Sequence, residues 1–362
     1  MLVKISTNAR KTLSTYFPNQ DYTIASLDSL KRLYPKNTIL QDDILRMSNF
    51  IKYNFTEQYI NNYKLIADQR ITKMLNLAYN DRVIIGDNAD DITDKNYGNG
   101  VINNNLDIST HGTIVSGIIG AKRHNKLGID GIANTIKIMP ICISGFGNEY
   151  DKDLALGIRY AVDNGARVIN MSIGKELSLQ KHWVDEALKY AEQHNVLIVS
   201  SAGNRHLKLD GTNEYPTDST GDGKEVSSNF IHVGATSYAV NENLIASFSN
   251  YSKIEVDVFA PGNKIKTLLP NNRYKIDSGT SISSAIVSGL TSLIFSYYPK
   301  LSAKEVKNIL IKSGISYNID VEIKQKDGTK IMIPFSELSK SGKIVNAYNA
   351  LLLAEQISKS KN

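Results

Sequence analysis

Short apolar, β-branched runs alternate with longer amphipathic stretches between Arg82 and Ser316, and this rhythm constrains the fold more than any other feature. The stretches DKDLALGIRYAVDNG and SLQKHWVDEALKYAEQHN have the apolar spacing of helices. Such alternation predicts an α/β fold with a mostly parallel central sheet that helices cover on both faces. The strand-like runs are RVIIGD, IKIMPICI, ARVINMSI, NVLIVSSAG, FIHVGAT and VDVFAPG.

The regions on either side of this core have a different texture. Residues 1–80 show apolar residues at three- and four-residue spacing, which predicts an accessory or inserted helical segment. Residues 81–316 form the predicted main domain. Residues 317–362 read as a hairpin turning at Asp327-Gly328 and a terminal helix, both packed on that same domain.

Composition excludes several classes of function. The net charge of +6 comes from basic residues scattered among acidic ones, so we expect a solvated surface and no nucleic-acid partner. The single cysteine, Cys142, excludes an internal disulfide and a cysteine-based zinc site. No run of 18 apolar residues predicts a membrane span, and the first residues lack the apolar core of a signal peptide.

Three polar residues stand where an acyl-transfer site needs a base, a nucleophile and an oxyanion donor. His111, in STHGTIVSGIIGA, begins a helix with a face of small residues. Ser281, in SGTSISSAIVSG, lies in the first turn of an interior helix, where free N–H groups favour negative charge, although a serine there is also an ordinary N-cap. Asn204 closes the apolar run VLIVSSAGN, where its alternative role is that of a turn residue.

Taken together, these segments resemble the subtilisin-like (S8) serine peptidases. HGTIVSG is similar to the histidine motif of that family, SSAGN to its oxyanion-asparagine motif, and SGTSISSAIVSG to its serine motif, in the same order. The resemblance covers residues 82–314 and implies a three-layer α/β/α fold. It implies a serine endopeptidase in which Ser281 is the nucleophile, His111 the general base and acid, and Asn204 the oxyanion donor.

The resemblance also implies how a substrate binds. INMSIG looks like the strand in which Ser172, Ile173 and Gly174 pair with an extended polypeptide, and ICISGFG looks like the opposite wall. No cofactor is needed for the chemistry. Some members bind calcium, but the acidic loop 209–225 lacks the spacing of an EF-hand, so a solvated loop is the preferred interpretation. The family suggests a secreted or periplasmic location, which the chain itself does not encode.

The aspartate of the family's triad is the difficulty. In the family it ends the first strand of the domain, upstream of the histidine helix, and no such run precedes His111. Asp87, in RVIIGD, is one candidate, but its run better resembles the strand after the aspartate. The helical region 1–80 then resembles an insertion between those two strands. An upstream segment that supplies the missing strand is therefore an expected partner, and its absence would expose two strand edges.

A rival hypothesis follows from this missing residue. A protein that holds the site's other groups but lacks the aspartate could bind extended peptides without cutting them. We therefore keep a pseudoprotease that acts as a peptide-binding module as the alternative to an active serine endopeptidase.

Overall fold

The computed structural model describes residues 2–53, 55–103, 110–144, 149–212, 214–222, 224–325 and 327–361, which belong to two units, residues 1–80 and 81–362. The first unit is helical, and side-chain caps begin three of its helices: Thr23, Asn37 and Thr56 each accept a hydrogen bond from a backbone N–H in the first turn. Its elements are α1 (Leu2–Leu13), α2 (Ile24–Leu33), α3 (Thr38–Lys52), α4 (Glu57–Gln69) and a π-helical turn (Arg70–Met74).

The second unit alternates strands and helices as its sequence predicts. Its helices are α5 (Arg82–Ile85), α6 (His111–Gly120), α7 (Asp151–Asp163), α8 (Lys181–Gln193), α9 (Thr280–Tyr297), α10 (Ala303–Ser313) and α11 (Ala347–Lys359). Its strands are β1 (Val168–Met171), β2 (Leu197–Ser201), β3 (Phe230–Thr236), β4 (Val258–Pro261), β5 (Ile265–Leu269), β6 (Arg273–Asp277), β7 (Ile315–Ser316), β8 (Asp320–Lys324), β9 (Lys330–Pro334) and β10 (Lys343–Ile344).

Six of these strands form the main sheet, in the order β1-β2-β3-β4-β10-β7. All neighbours in it are parallel except β10 and β7. The register pairs Met171 with Ser200 and Ser201 with Val233, so the carboxyl ends of β1, β2 and β3 meet along one edge. This is the edge at which parallel sheets present functional groups. The pairs β5-β6 and β8-β9 are separate antiparallel hairpins.

Helices cover both faces of the sheet, which makes three layers. On one face α9, α10 and α11 bury apolar side chains against β2, β3 and β4. On the other face α7 and α8 pack against β1, β2 and β3 through a second apolar cluster. The α/β/α architecture predicted from the sequence is confirmed. Helix α9 is long and apolar enough by composition to cross a membrane. However, 67% of this helix is buried inside the protein, as in the core helix of a globular domain.

Two runs predicted as strands do not form strands. RVIIGD instead contains the short helix α5, which ends at Gly86 with φ of +81°. IKIMPICI is extended but joins no sheet, and in the part of the chain that the structure describes no backbone hydrogen bond reaches residues 134–143. Its side chains Ile138, Met139 and Ile141 are exposed. Among the described strands β1 pairs only with β2, so its other side is an edge of the sheet.

A cluster of charged residues, ranging from the buried Asp257 to the exposed Glu225, lies beside β3 and β4. Lys340 binds Glu225 at 2.5 Å and Asp257 at 3.3 Å, and Lys307 binds Glu225 at 2.9 Å. Asp218, 2% exposed, faces the cluster, and none of the described residues gives its Oδ2 atom a hydrogen bond. Burial, together with the charge of Asp257, raises the pKa of Asp218 to about 8, although the two lysines oppose the rise.

Replacing Asp218 by asparagine should therefore change how thermal stability depends on pH. Between the ordinary aspartate pKa of about 4 and the raised value, the folded protein holds a proton that the unfolded chain has lost, so stability falls as pH rises. Asp218→Asn keeps the neutral form. Its melting temperature should match that of the wild type at pH 4 and exceed it by on the order of 5 °C at pH 8. Calorimetric scans of both proteins test this, with the exposed Glu186→Gln as the control; parallel profiles would contradict it.

Candidate active site

The side chains of His111 and Ser281 meet at one backbone oxygen. His111 begins α6 and is exposed, and Ser281 lies in the first turn of α9 and is half-buried. The Nε2 atom of His111 is 3.1 Å from the carbonyl oxygen of Ser172, and the Oγ atom of Ser281 donates to the same oxygen at 3.4 Å. Two residues that are 170 positions apart in the chain therefore face the same point beyond the end of β1.

The start of α9 is fixed by a close backbone approach. The N–H of Gly279 donates to the carbonyl of Gly262 at 2.8 Å. A Cβ atom on Gly262 would lie 2.9 Å from the Gly279 carbonyl and would also meet the hydroxyl of Ser283, so only glycine permits this approach. The glycine loop after β4 thus sets where the first turn of α9, and with it Ser281, lies.

Ser172 is itself held in place by hydroxyl and amide groups. Its Oγ donates to the carbonyl of Ser281 at 2.9 Å and accepts from the amide of Asn170 at 2.8 Å. The hydroxyl of Ser288, in α9, donates to the side-chain amide oxygen Oδ1 of Asn170 at 2.9 Å. Because these bonds join the end of β1 to α9, the Ser172 carbonyl and the Ser281 hydroxyl are held as one rigid group.

The amide of Asn204 is oriented by the same helix start. Its Oδ1 accepts from the backbone N–H of Thr280 at 2.8 Å and from the Thr280 hydroxyl at 2.9 Å. Since a backbone N–H can only donate, these bonds assign Oδ1 and leave Nδ2 as the free donor. That Nδ2 is 3.7 Å from the point where a Cβ on Gly279 would stand. A hydrogen-bond donor is therefore presented beside the Ser281 hydroxyl.

Asn250, which no sequence motif marks, supports the Asn204 loop. Its Nδ2 donates to the Ala202 carbonyl at 2.8 Å, and its Oδ1 accepts from the N–H groups of Arg205 and Leu207 at 3.1 and 2.9 Å. Gly203, with φ of +98°, makes the turn that only glycine adopts readily. The signal in the sequence is only a polar residue within the run ASFSNYSK.

The predicted substrate strand continues β1 in an extended form. The carbonyl of Ile173 accepts from the Ser201 hydroxyl at 3.2 Å, and Lys175 exchanges two backbone hydrogen bonds with Tyr215 at 2.9 and 2.8 Å. Gly174 between them is exposed. In the opposite wall predicted from ICISGFG, residues 145–147 lie outside the described residues. Residues 172–174, Asn204 and Ser281 together form one surface, the cleft.

The structure does not place Asp87 as a partner of His111, which corrects that candidate assignment. Its carboxylate binds Arg82 at 3.1 Å and Lys152 at 2.7 Å instead. Burial alone would raise the pKa of Asp87, but the hydrogen bonds from Lys152 and Arg82 outweigh it and hold the pKa below its ordinary value. Asp87 acts as the buried counter-ion that ties the chain after α5 to the start of α7.

The acidic loop 209–225 includes Asn213 and Gly223, which lie outside the described residues. Within the residues that the structure covers, no group of three or more His, Cys, Asp or Glu residues is arranged to hold a metal ion. Cys142 is exposed rather than buried, because the extended run that contains it joins no sheet.

The present geometry brings the Ser281 hydroxyl and the His111 imidazole to the same carbonyl oxygen without a hydrogen bond between them. A carbonyl oxygen only accepts, so the contact with Ser172 places a proton on Nε2 of His111. Nε2 then has no lone pair for the Ser281 proton. The site holds the groups needed for acyl transfer, but the imidazole must move its proton to Nδ1 before it can act as the base.

Comparison with known proteins gives a consistent answer. A family model described as the subtilase family matches residues 32–333. The "Cell wall-associated protease" of Bacillus subtilis is 38% identical over 62% of this chain and 23% of its own length. The "Thermophilic serine proteinase" of Bacillus sp. strain AK1 is 32% identical over 68% of this chain and 53% of its own. The chain thus spans only part of these two relatives.

A solved structure shows the same fold. The prenylagaramide maturation protease PagA superposes with a TM-score of 0.53 and 25% identity, over 68% of this chain and 82% of that one. The residues that the family model matches, 32–333, include His111, Asn204 and Ser281. With the family model covering most of the sequence and the three-layer fold in common, this chain belongs to the subtilase family.

Proposed function

We propose that the protein is a serine-type endopeptidase that cuts polypeptides through an acyl-enzyme. The observation that carries this proposal is the convergence of the His111 imidazole and the Ser281 hydroxyl on the Ser172 carbonyl, beside an Asn204 amide whose donor is fixed. Membership of the subtilase family supports it.

In the proposed reaction, His111 removes the proton from the Ser281 hydroxyl as its oxygen attacks a peptide carbonyl. The Asn204 Nδ2 and the backbone N–H of Ser281 stabilise the oxyanion. His111 then gives its proton to the leaving amine, and water repeats the cycle on the ester that remains. We propose no cofactor, because each step is a proton or acyl transfer among the chain, the substrate and water.

The substrate in this proposal is an extended polypeptide that lies along residues 172–174. Gly174 offers an exposed backbone there, and an added strand gains affinity from main-chain hydrogen bonds. A secreted or periplasmic location is also proposed, with support from the relative whose name places it at the cell wall.

We further propose that a strand supplied by an upstream segment provides the aspartate for His111. It would lie between β1 and residues 136–143, because within the described residues no strand pairs with the outer edge of β1 and no backbone hydrogen bond reaches residues 136–143. The apolar side chains exposed on residues 138–141 favour such a strand, since pairing would bury them.

A fluorophosphonate probe tests the proposed function. We expect covalent labelling of Ser281, found by mass spectrometry, and its loss in Ser281→Ala and His111→Ala. Ser278→Ala is the matched control, because this exposed serine lies three residues earlier in the same loop and should leave labelling intact. Peptide binding without any labelling would contradict the endopeptidase and indicate a peptide-binding module.

A further inference from the structure

The lysine that directly follows the predicted substrate strand is buried although its neighbours are exposed. Lys175 comes after residues 172–174 and is 7% exposed, whereas Leu177, two residues later, is 69% exposed. Lysine is among the residue types least often buried, and leucine is among those most often buried. Burial of apolar surface therefore does not explain why this ammonium group lies inside the protein.

Two groups at the start of α7 hold the ammonium. Its Nζ donates to the backbone carbonyl of Glu149 at 2.5 Å and lies 2.6 Å from Oδ1 of the buried Asp151. Burial alone would raise the pKa of Asp151, but hydrogen bonds from Lys175 and from residues 178–180 outweigh it and hold that pKa below its ordinary value. The pair is therefore ionic at neutral pH, and separating it would leave a buried charge without its counter-ion.

The start of α7 is itself firmly anchored. The residue after Asp151 is Lys152, which binds Asp87 at 2.7 Å, and the next residue, Asp153, binds Arg82. Three successive residues of α7 thus form ion pairs with residues of other segments. Because these pairs resist displacement of the first turn, the ammonium of Lys175 is tied to a fixed element.

The backbone of Lys175 holds the far end of the predicted substrate strand. Strand β1 ends at Met171, and Gly174 is an exposed glycine, the residue type with the greatest backbone freedom. Lys175 exchanges two backbone hydrogen bonds with Tyr215 at 2.9 and 2.8 Å. Residues 172–174 are therefore held at one end by β1 and at the other by Lys175. An edge that is extended before a peptide arrives loses less conformational entropy when the peptide binds.

We propose that Lys175 is a positioning residue whose buried ammonium keeps residues 172–174 extended for main-chain pairing with a peptide, an inference that rests on the binding mode of the proposed endopeptidase. Without the contact at α7, Gly174 lets this segment adopt other conformations, and a peptide that spans several residues loses affinity. The groups that react are affected much less, because Ser172 is held to α9 separately, through its hydrogen bond to the Ser281 carbonyl.

Binding of peptides of two lengths to an inactive variant tests the inference without relying on turnover. An acetylated five-residue peptide amide and the acetylated amide of its last two residues are titrated into Ser281→Ala by calorimetry. The longer peptide can pair along all of residues 172–174, so we expect it to bind tighter by on the order of 30-fold. Adding Lys175→Met should lower this ratio to about threefold and change the affinity for the short peptide by less than about twofold. A general loss of structure would instead weaken both peptides alike.

Two further variants separate the buried ion pair from a general effect of charge. Asp151→Asn keeps an acceptor for Lys175 but removes its counter-charge, so an intermediate ratio of about tenfold is expected. Lys181→Met is the matched control, because this lysine also pairs with an aspartate, Asp185, but does so within α8 and partly exposed. It should change the ratio by less than about twofold.

The outcomes separate this inference from the proposed function. If the fluorophosphonate labels Ser281 but Lys175→Met leaves the ratio unchanged, the inference is wrong and the endopeptidase proposal stands. If Lys175→Met lowers the ratio but no labelling occurs, the positioning role is supported and the endopeptidase proposal fails. Equal affinity of Ser281→Ala for the two peptides would also overturn the inference. Should Lys175→Met not fold, Asp151→Asn decides, because an unchanged ratio in that variant would contradict a role for the ion pair.

Discussion

Supplying an aspartate-bearing strand in trans should raise the rate of fluorophosphonate labelling at Ser281 by on the order of 10³-fold. In the chain alone, Nε2 of His111 donates to the Ser172 carbonyl and cannot accept the Ser281 proton. A carboxylate at Nδ1 would hold a proton there, free Nε2 as the base, and stabilise the imidazolium that forms. The faster labelling therefore has two causes. The aspartate favours the tautomer of His111 with its proton on Nδ1, and its negative charge stabilises the imidazolium.

The experiment uses a synthetic peptide of β-branched residues that ends in Asp-Ser-Gly, mixed with the full chain. A matched peptide with asparagine in place of the aspartate is the control, since it can fill the same place between β1 and residues 136–143. Both peptides should raise the melting temperature by pairing free edges and burying the apolar side chains exposed there. Only the aspartate peptide should accelerate labelling. Equal rates with both bound peptides would show that His111 needs no carboxylate from this strand.

The runs that have at least one strand partner in the sheet were the ones that the sequence predicted well. FIHVGAT is a buried strand over its whole length, Phe230–Thr236, because β2 and β4 flank it and helices cover both faces. IKIMPICI has an equally apolar, β-branched composition but forms no strand, since no described strand pairs with it. Composition reports that a run can be buried in a sheet, whereas pairing depends on neighbours that are distant in sequence.

The same contrast holds for the site. His111, Asn204 and Ser281 could be selected because each follows or begins an element in a recognisable motif. Asn250 could not, because a single asparagine in a polar run acquires its role only from the Asn204 loop that packing brings beside it. Asp87 was misleading for a related reason. An acid after an apolar run resembles a catalytic group, but this carboxylate forms ion pairs with the buried Arg82 and Lys152. Local sequence patterns identify residues that begin or end a helix or strand. Which cation pairs with a given carboxylate depends instead on packing between segments that are distant in sequence.

Asn204→Ala should lower kcat/KM for a peptide substrate by on the order of 10²-fold to 10³-fold, with most of the loss in kcat. The amide is oriented before substrate arrives, because the Thr280 N–H and hydroxyl hold Oδ1. Nδ2 therefore pairs with an oxyanion that exists only in the transition state. Such a donor contributes little to binding of the ground state, so KM should change by less than about threefold.

Two further variants separate the donor from its support. Asn204→Asp keeps the acceptor for Thr280 but replaces the donor by a negative charge beside the developing oxyanion, so its loss of kcat should be at least that of Asn204→Ala. Thr280→Val removes the hydroxyl that holds Oδ1 but keeps the backbone N–H, and about a tenfold loss is expected. The exposed Asn243→Ala should retain wild-type rates. A rise in KM at constant kcat in Asn204→Ala would instead assign Asn204 to substrate binding, since only a transition-state donor acts on kcat alone.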